Sequence, residues 1–461
     1  MAVKAGFILP HPPLIIPEIG RGEQIKIQRT SDAYHSIAKR IAEIKPDTII
    51  VATPHSIMYS DYIHISPGKG ARGSFGEFGH GDITVEAEYD IELVGEISRE
   101  AEMQGIPAGI LGEKNKSLDH GVMVPLYFVN KYYNDYKLIR ISVSGLSSLE
   151  HYKFGKCIGE VSEKSGKTIV FIGSGDLSHM LKDEGPYGYR EEGPVFDREV
   201  TKAMKTGNFL EFLKFDEDFC ESAGECGLRS FIIMAGALDR KNVSSEFLSY
   251  EGPFGVGYAV AAFNVLENDE ERCFYEIYLK NETERVESLK SEEDEYVRLA
   301  RQTLESYVIN RKIIRRPDDL SNDMTSNRAG VFVSLKLDGN LRGCIGTTSP
   351  TTQSIADEII QNAISAGAED PRFPPVCEEE LKRLVYSVDV LGDAEKIRSA
   401  DELNPEKYGV IVSKGHRKGL LLPNLEGVDT AEEQVSIALK KAGISPAENY
   451  KLERFEVVRH K

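Results

Sequence analysis

Three short hydrophobic runs, GFILPHPP, DTIIVATPHS and KTIVFIGSGDLSH, each stop at a proline or glycine turn and then present a histidine. Apolar at nearly every position and only a few residues long, such runs read as buried strands rather than half-exposed ones. Open α/β sheets place their chemistry where loops leave strand ends of this kind. His11 and His55 therefore project from the edge of a sheet. Delivered together, two imidazoles share one metal ion if a third loop supplies another ligand; taken singly, each only caps a turn.

Around these runs, strand and helix alternate as far as residue 265 or so. Helices are expected at 24–43, 91–104, 149–164, 194–205 and 228–238, with further strands at 136–144 and in GPFGVGYAVAAFNV. That alternation points to one large α/β domain with a central mixed sheet over residues 1–266. The segment SPGKGARGSFGEFGHGD after His55 reads as a loop, because glycine and polar residues dominate it. Residues 267–290 are charged and poor in large apolar side chains, so a linker is expected there, with one short strand at CFYEIYL. Residues 291–461 open with a helix and continue as a separate α+β domain. Ser291 and Glu293 to Glu295 suit the start of that helix. A chain of 461 residues has room for two such cores.

Bulk properties narrow the setting. No apolar run approaches the roughly 18 residues of a membrane span. The opening MAVKAGFILPHPP lacks the long apolar segment and cleavage site of a secretion signal, so a cytoplasmic protein is expected. A net charge of −18 opposes nonspecific wrapping of nucleic acid. The six cysteines are scattered without zinc-finger or redox-motif spacing and read mostly as buried thiols. Neither a membrane nor nucleic acid is an expected partner; a homo-oligomer is compatible with the sequence.

Four histidines stand in comparable settings: His11, His55, His120 in SLDHGVMVPL, and His179 in GSGDLSH. His35, His64, His80 and His151 lie in helical or polar surroundings and read as surface residues. Two imidazoles and a carboxylate are a common set of protein ligands for ferrous iron, leaving positions open to substrate and oxygen. FCESAGECGLRS offers Glu221, Glu225 and Cys226 just before a helix. A carboxylate from this segment favours iron and oxygen chemistry, whereas a thiolate gives a softer site compatible with zinc, copper or iron. A cysteine at a helix start is expected to have a lowered pKa. His179 is available as a base, with Asp176 three residues earlier to orient it, and His120 as a hydrogen-bond donor to substrate or oxygen. Asp119 is expected to face away from that pocket if its segment is extended.

LPHPPL, TPHS after a strand, LDHG followed by VPL, GDLSH and the closing GYAVAAF resemble the class III extradiol dioxygenases, a family that includes protocatechuate 4,5-dioxygenase and the Memo proteins. The resemblance spans residues 1 to 265. It implies that His11 and His55 bind a non-haem ferrous ion, that His179 acts as acid/base, and that His120 lies just outside the ligands. It further implies a catechol-like or modified small substrate, opened next to its paired hydroxyls. Ring-cleaving members use a glutamate as third ligand, and Memo-like members a cysteine before a glycine. Glu225 and Cys226 are thus alternatives, and the order Cys226, Gly227, Leu228, Arg229 is closer to Memo. Fe(II) is the expected ion; a thiolate ligand also accommodates zinc or copper.

In the second domain, NLRGCIGTTSP places Cys344 between glycines, with Arg342 and, in EDPRFPPV, Arg372 as candidates to bind an anion beside it. His416 lies in the polar SKGHRKG segment, with nothing in the spacing to bring it near Cys344. LRGCIG and DPRFPPV are similar to the AMMECR family, named for the Alport, midface hypoplasia and elliptocytosis chromosomal region, over residues 292 to 461. The resemblance implies a fusion of two components of the AmmeMemoRadiSam system, with a radical S-adenosylmethionine enzyme as partner.

Overall fold

The computed structural model describes residues 2–114, 117–425 and 427–461. The chain divides into two compact units, residues 1–279 and 280–461.

In the first unit, six strands form one mixed sheet in the order Lys137–Ser142, Thr48–Thr53, Ile169–Ser174, Val3–Leu9, Tyr258–Asn268, Lys241–Glu251. The first four run parallel and the last two close the sheet antiparallel. Thr48–Thr53 and Ile169–Ser174 are buried at every position, as strands covered on both faces must be. Successive residues face opposite layers. Ile8, Ile50 and Phe171 pack with the helices Ile91–Met103, Ser148–Ser165 and Leu228–Ala237. Phe7, Val51 and Ile172 pack instead with Gln28–Ile44 and His120–Val129. The expected helices and buried strands are therefore present, and the α/β reading holds.

Three local expectations fail for identifiable reasons. The glycine-rich stretch after His55 is a two-stranded ribbon, Gly70–Phe75 with His80–Glu88. Its glycines hide a period of two in which Ala71, Phe75, Val85 and Ala87 turn inward. The strand expected at CFYEIYL lies in a helix, Phe274–Glu292, whose Phe274 and Tyr278 are buried four residues apart on one face. This helix and the strand Tyr258–Asn268 occupy most of the stretch read as a linker, and the division between the units falls inside the helix. Finally, His64 and His151 are buried rather than superficial. His151 Nε2 accepts the Ser144 N–H at 3.1 Å, and its Nδ1 lies 2.9 Å from the Ser147 carbonyl, so both ring nitrogens are used internally.

The second unit is α+β. One antiparallel sheet runs Asn340–Gly346, Val331–Leu337, Leu384–Leu391, Val457–His460, beneath the helices Glu295–Asn310 and Ile355–Ala368. Asp294 caps the first of these helices by accepting from the N–H groups of Tyr296 and Val297 at 3.0 Å. A second sheet runs Glu395–Ile397, Lys451–Phe455, Gly409–Lys414, Arg417–Leu421 and packs on Ala431–Ala442. Among the described residues no helix is long and apolar enough to cross a membrane.

Candidate metal centre

Thr48–Thr53, Ile169–Ser174 and Val3–Leu9 are neighbours in the sheet, and all three end on the same side. His55 follows the first, Asp176 and His179 follow the second, and His11 follows the third. The helix Glu217–Ala223 ends at Gly224, and the turn into Leu228–Ala237 brings Cys226 against the loop of the middle strand. There the Asp176 N–H donates to Cys226 Sγ at 3.3 Å. Side chains are excluded from this meeting point: a Cβ on Gly175 would lie 2.1 Å from the Cα of Gly227.

His11 Nε2 and His55 Nε2 are 2.9 Å apart, and Cys226 Sγ lies 3.7 Å from His11 Nε2. The three donor atoms all fall within 4.8 Å of one another. Donors bonded at roughly 2.0–2.3 Å to one ion lie about 3 to 4 Å apart, so this set fits a single metal held by two imidazoles and a thiolate. His11 is buried, Cys226 half-buried and His55 exposed, which leaves the centre open on the His55 side.

Glu225, the alternative third ligand, points elsewhere. Its Oε2 accepts the Leu228 N–H at 2.7 Å and caps the following helix. Glu221 is exposed on Glu217–Ala223. Among the described residues, His11, His55 and Cys226 are the only group of potential ligands compact enough to hold an ion.

The two other histidines flank this trio. His120 is the first residue of His120–Val129, its ring 4.1 Å from that of His55 and 5.2 Å from that of His11. His179 stacks on Tyr187 at 5.1 Å, and its backbone N–H donates to the Gly224 carbonyl at 3.2 Å. Asp176 does not orient His179 as expected; its Oδ1 accepts the backbone N–H of His11 at 2.8 Å. Asp119 also differs from expectation. It caps the His120 helix, accepts from Thr53 Oγ1 at 2.7 Å, and sits close enough to favour the protonated forms of His55 and His120.

Burial, followed by repulsion from His55, His120 and His179, pushes His11 well below the usual imidazole range. Desolvation, with a neighbouring imidazole, brings His55 and His179 each to about 4. At neutral pH these rings are uncharged, each with one bare nitrogen, as ligands and bases must be. Burial pushes the Cys226 thiol well above its ordinary value, with the Asp176 and Glu225 carboxylates adding to the effect. The lowering expected from a helix start is overridden, because desolvation is the larger influence. Asp176 and Glu225 are themselves raised to about 7 by burial.

Two cavities adjoin the trio. One of about 510 Å³ is lined by His179, Cys226, Glu221 and Arg229, among others. The other, about 520 Å³, is lined by His55, His120, Phe78 and Glu77, among others.

In the second unit, Cys344 Sγ accepts from Ser334 Oγ at 3.2 Å on the neighbouring strand, while its N–H donates to Asp370 at 2.9 Å. The two arginines expected to bind an anion beside it already hold carboxylates. Arg342 pairs with Glu380 at 2.6 and 3.0 Å, and Arg372 with Asp370 at 2.7 Å while also donating to the Cys344 carbonyl at 3.1 Å. Both cations thus clamp their own strand and loop and are neutralised in place. His416 is exposed in a turn.

Thr53 and Ser174 escaped the sequence reading, although each is the last residue of its strand and so stands directly before the site.

A protein of Clostridium acetobutylicum is 46% identical over 474 aligned positions, covering 100% of both chains. One of Thermotoga maritima is 50% identical over 171 residues, covering 37% of this chain and 98% of its own. A crystal structure from Pyrococcus horikoshii, 34% identical, covers 36% of this chain and 88% of its own with a TM-score of 0.34. Residues 297–460 match the AMMECR1 family. Residues 5–261, more than half of the chain, match the catalytic LigB subunit of aromatic ring-opening dioxygenase, and the chain therefore belongs to the LigB family, with an AMMECR1 domain fused behind it.

Proposed function

We propose that the first unit is a metal-dependent oxidoreductase whose centre is held by His11, His55 and Cys226, with ferrous iron as the first candidate ion. The observation that carries this reading is the convergence of three donor atoms within 4.8 Å, with two more imidazoles and two cavities beside them. A bound ion would supply Lewis acidity and, for iron or copper, electron transfer. The chain supplies the rest. His179, neutral and lining one cavity, accepts a proton from a substrate hydroxyl, and His120, lining the other cavity, is placed to donate a hydrogen bond. Tyr187, stacked on His179, limits the positions its ring can take.

The cysteine donor favours a second reading. Thiolate in place of carboxylate changes charge donation and redox behaviour, which suits a redox or metal-handling centre acting alongside a radical S-adenosylmethionine enzyme. Anaerobic purification, metal analysis and the variants His11→Ala, Cys226→Ala and Glu225→Ala test the centre. Loss of metal in the first two with retention in the third is expected; undiminished metal in His11→Ala would overturn the site. Oxygen admitted to the loaded protein with a panel of catechols tests the first reading, since ring-opened product selects the dioxygenase over the second.

A further inference from the structure

Two hydroxyls tie the His11 ring and the His55 backbone to one helix, and the hydrogen-bond inventory of the first of these ties fixes a tautomer. Ser174 Oγ lies 3.0 Å from His11 Nδ1 and 2.5 Å from the carbonyl oxygen of Gly121. A carbonyl only accepts, and a serine hydroxyl carries a single proton. The Ser174 proton therefore goes to Gly121, and Ser174 Oγ is left to accept from His11 Nδ1–H. His11 is then the tautomer with Nε2 bare, and Nε2 is the atom that faces His55 and Cys226. On the other strand end, Thr53 Oγ1 accepts the backbone N–H of His55 at 3.2 Å and donates at 2.7 Å to Asp119. Asp119 in turn caps the same helix, accepting the Val122 N–H at 3.2 Å. The helix comes this close because residue 121 has no side chain: a Cβ there would stand 2.3 Å from Thr53 Oγ1.

We propose that Ser174 and Thr53 are positioning residues that join the His11 ring and the His55 backbone to the first turn of the helix bearing His120, and that Ser174 holds His11 in the tautomer with Nε2 free for a metal. The assignment of ligands rests on the function proposed above; the tautomer does not. At 2.9 Å the two facing Nε2 atoms need a proton or a cation between them. With His11 Nε2 bare, that proton is carried by His55, and a cation takes its place while His55 shifts its proton to Nδ1.

The test begins with chelator-treated protein carrying ¹⁵N-labelled histidine. The wild type is expected to show His11 as the Nδ1–H tautomer, and Ser174→Ala to show a mixture or the Nε2–H form. A wild-type His11 in the Nε2–H form overturns the proposal, as does a Ser174→Ala protein whose His11 is unchanged. If Ser174→Ala does not fold, the wild-type tautomer alone decides. Zinc affinity by competition is the second readout. Loss of an outer partner of this kind weakens binding about 10–100-fold. That loss is expected in Ser174→Ala; Thr53→Val, which frees the His55 backbone rather than its ring, should weaken binding less, with near wild-type affinity restored in Thr53→Ser. Equal affinity in Thr53→Val and wild type removes Thr53 from the proposal. A wild type that binds no zinc yet shows the Nδ1–H tautomer would refute the metal site while leaving the Ser174 tie intact.

Discussion

Replacing Glu225 with glutamine separates the two neighbouring candidates for the third ligand and gives a stability change of known sign. Glu225 is raised from 4.5 to about 7, with burial as the largest cause, set against the Leu228 N–H, Arg229 and the Gly227 N–H. The folded chain thus binds this proton more tightly than the unfolded chain. The stability Glu225 contributes is complete below pH 4.5 and declines as pH rises to about 7. At about 1.4 kcal/mol per pKa unit, the buried charge costs about 3 kcal/mol at pH 8 and under about 1 kcal/mol at pH 5. Glutamine keeps an oxygen to accept the Leu228 N–H, bonded at 2.7 Å in the native chain, and carries no charge. Chelator-treated Glu225→Gln should therefore exceed the wild type by about 3 kcal/mol at pH 8 and by little at pH 5. Urea unfolding followed by far-ultraviolet circular dichroism, the chain having no tryptophan, measures the difference, and amide exchange in Leu228–Ala237 localises it. Metal content should match that of the wild type. A variant no more stable at pH 8, or one that loses its metal, would refute the assignment of Glu225 as a helix cap.

Other outcomes follow from the same geometry. Because burial holds the Cys226 thiol protonated at neutral pH, zinc binding at pH 7.5 should release about one proton, seen as a buffer-dependent enthalpy in calorimetry and abolished in Cys226→Ala. Gly227→Ala would place a methyl 2.4 Å from the Phe231 ring and 2.9 Å from the Asp176 carbonyl, so the turn holding Cys226 must shift. A thermal melt should show a loss of about 1–3 kcal/mol, and a zinc titration weaker binding. In the second unit, buried Glu358 accepts from the hydroxyls of Thr347, Thr351 and Thr352 at 2.6, 2.8 and 2.7 Å, and from two backbone N–H groups. Glu358→Gln turns part of that acceptor set into a donor and should cost about 3 kcal/mol in urea unfolding. Since its pKa is lowered by these bonds, the native stabilisation should fade as pH falls through the folded pKa.

Most of the fold was legible because its elements carry one clear signal each. The buried strands are short unbroken apolar runs, and helices such as Ser148–Ser165 show the expected spacing. Elements that went unseen lack such a signal. His120–Val129 is apolar on nearly every side and contains Pro125, so no face stands out. Lys241–Glu251 is an edge strand with mostly half-exposed positions, which blurs its alternation. FYEIYL satisfies both a period of two and a spacing of four, and burial of Phe274 and Tyr278 selects the helix.

The same contrast explains the site. Residues that act from strand ends could be found by chain position, and His11, His55 and His179 were. What position cannot supply is direction. Glu225 and Cys226 are adjacent, both half-buried, and both chemically suited to a metal, so residue type leaves them equal. The backbone separates them. Leu228–Ala237 begins three residues after Glu225, and the Glu225 carboxylate turns onto the first of its exposed N–H groups. Once the carboxylate is spent there, the next side chain projects to the other side of the turn, where Gly175 and Gly227 let the loop of the middle strand approach. The sulfur then meets the imidazoles. Gly227 holds the cap position, so residue type did not announce this bond, and its weight lies in removing Glu225 from the ligand set rather than in adding Cys226 to it.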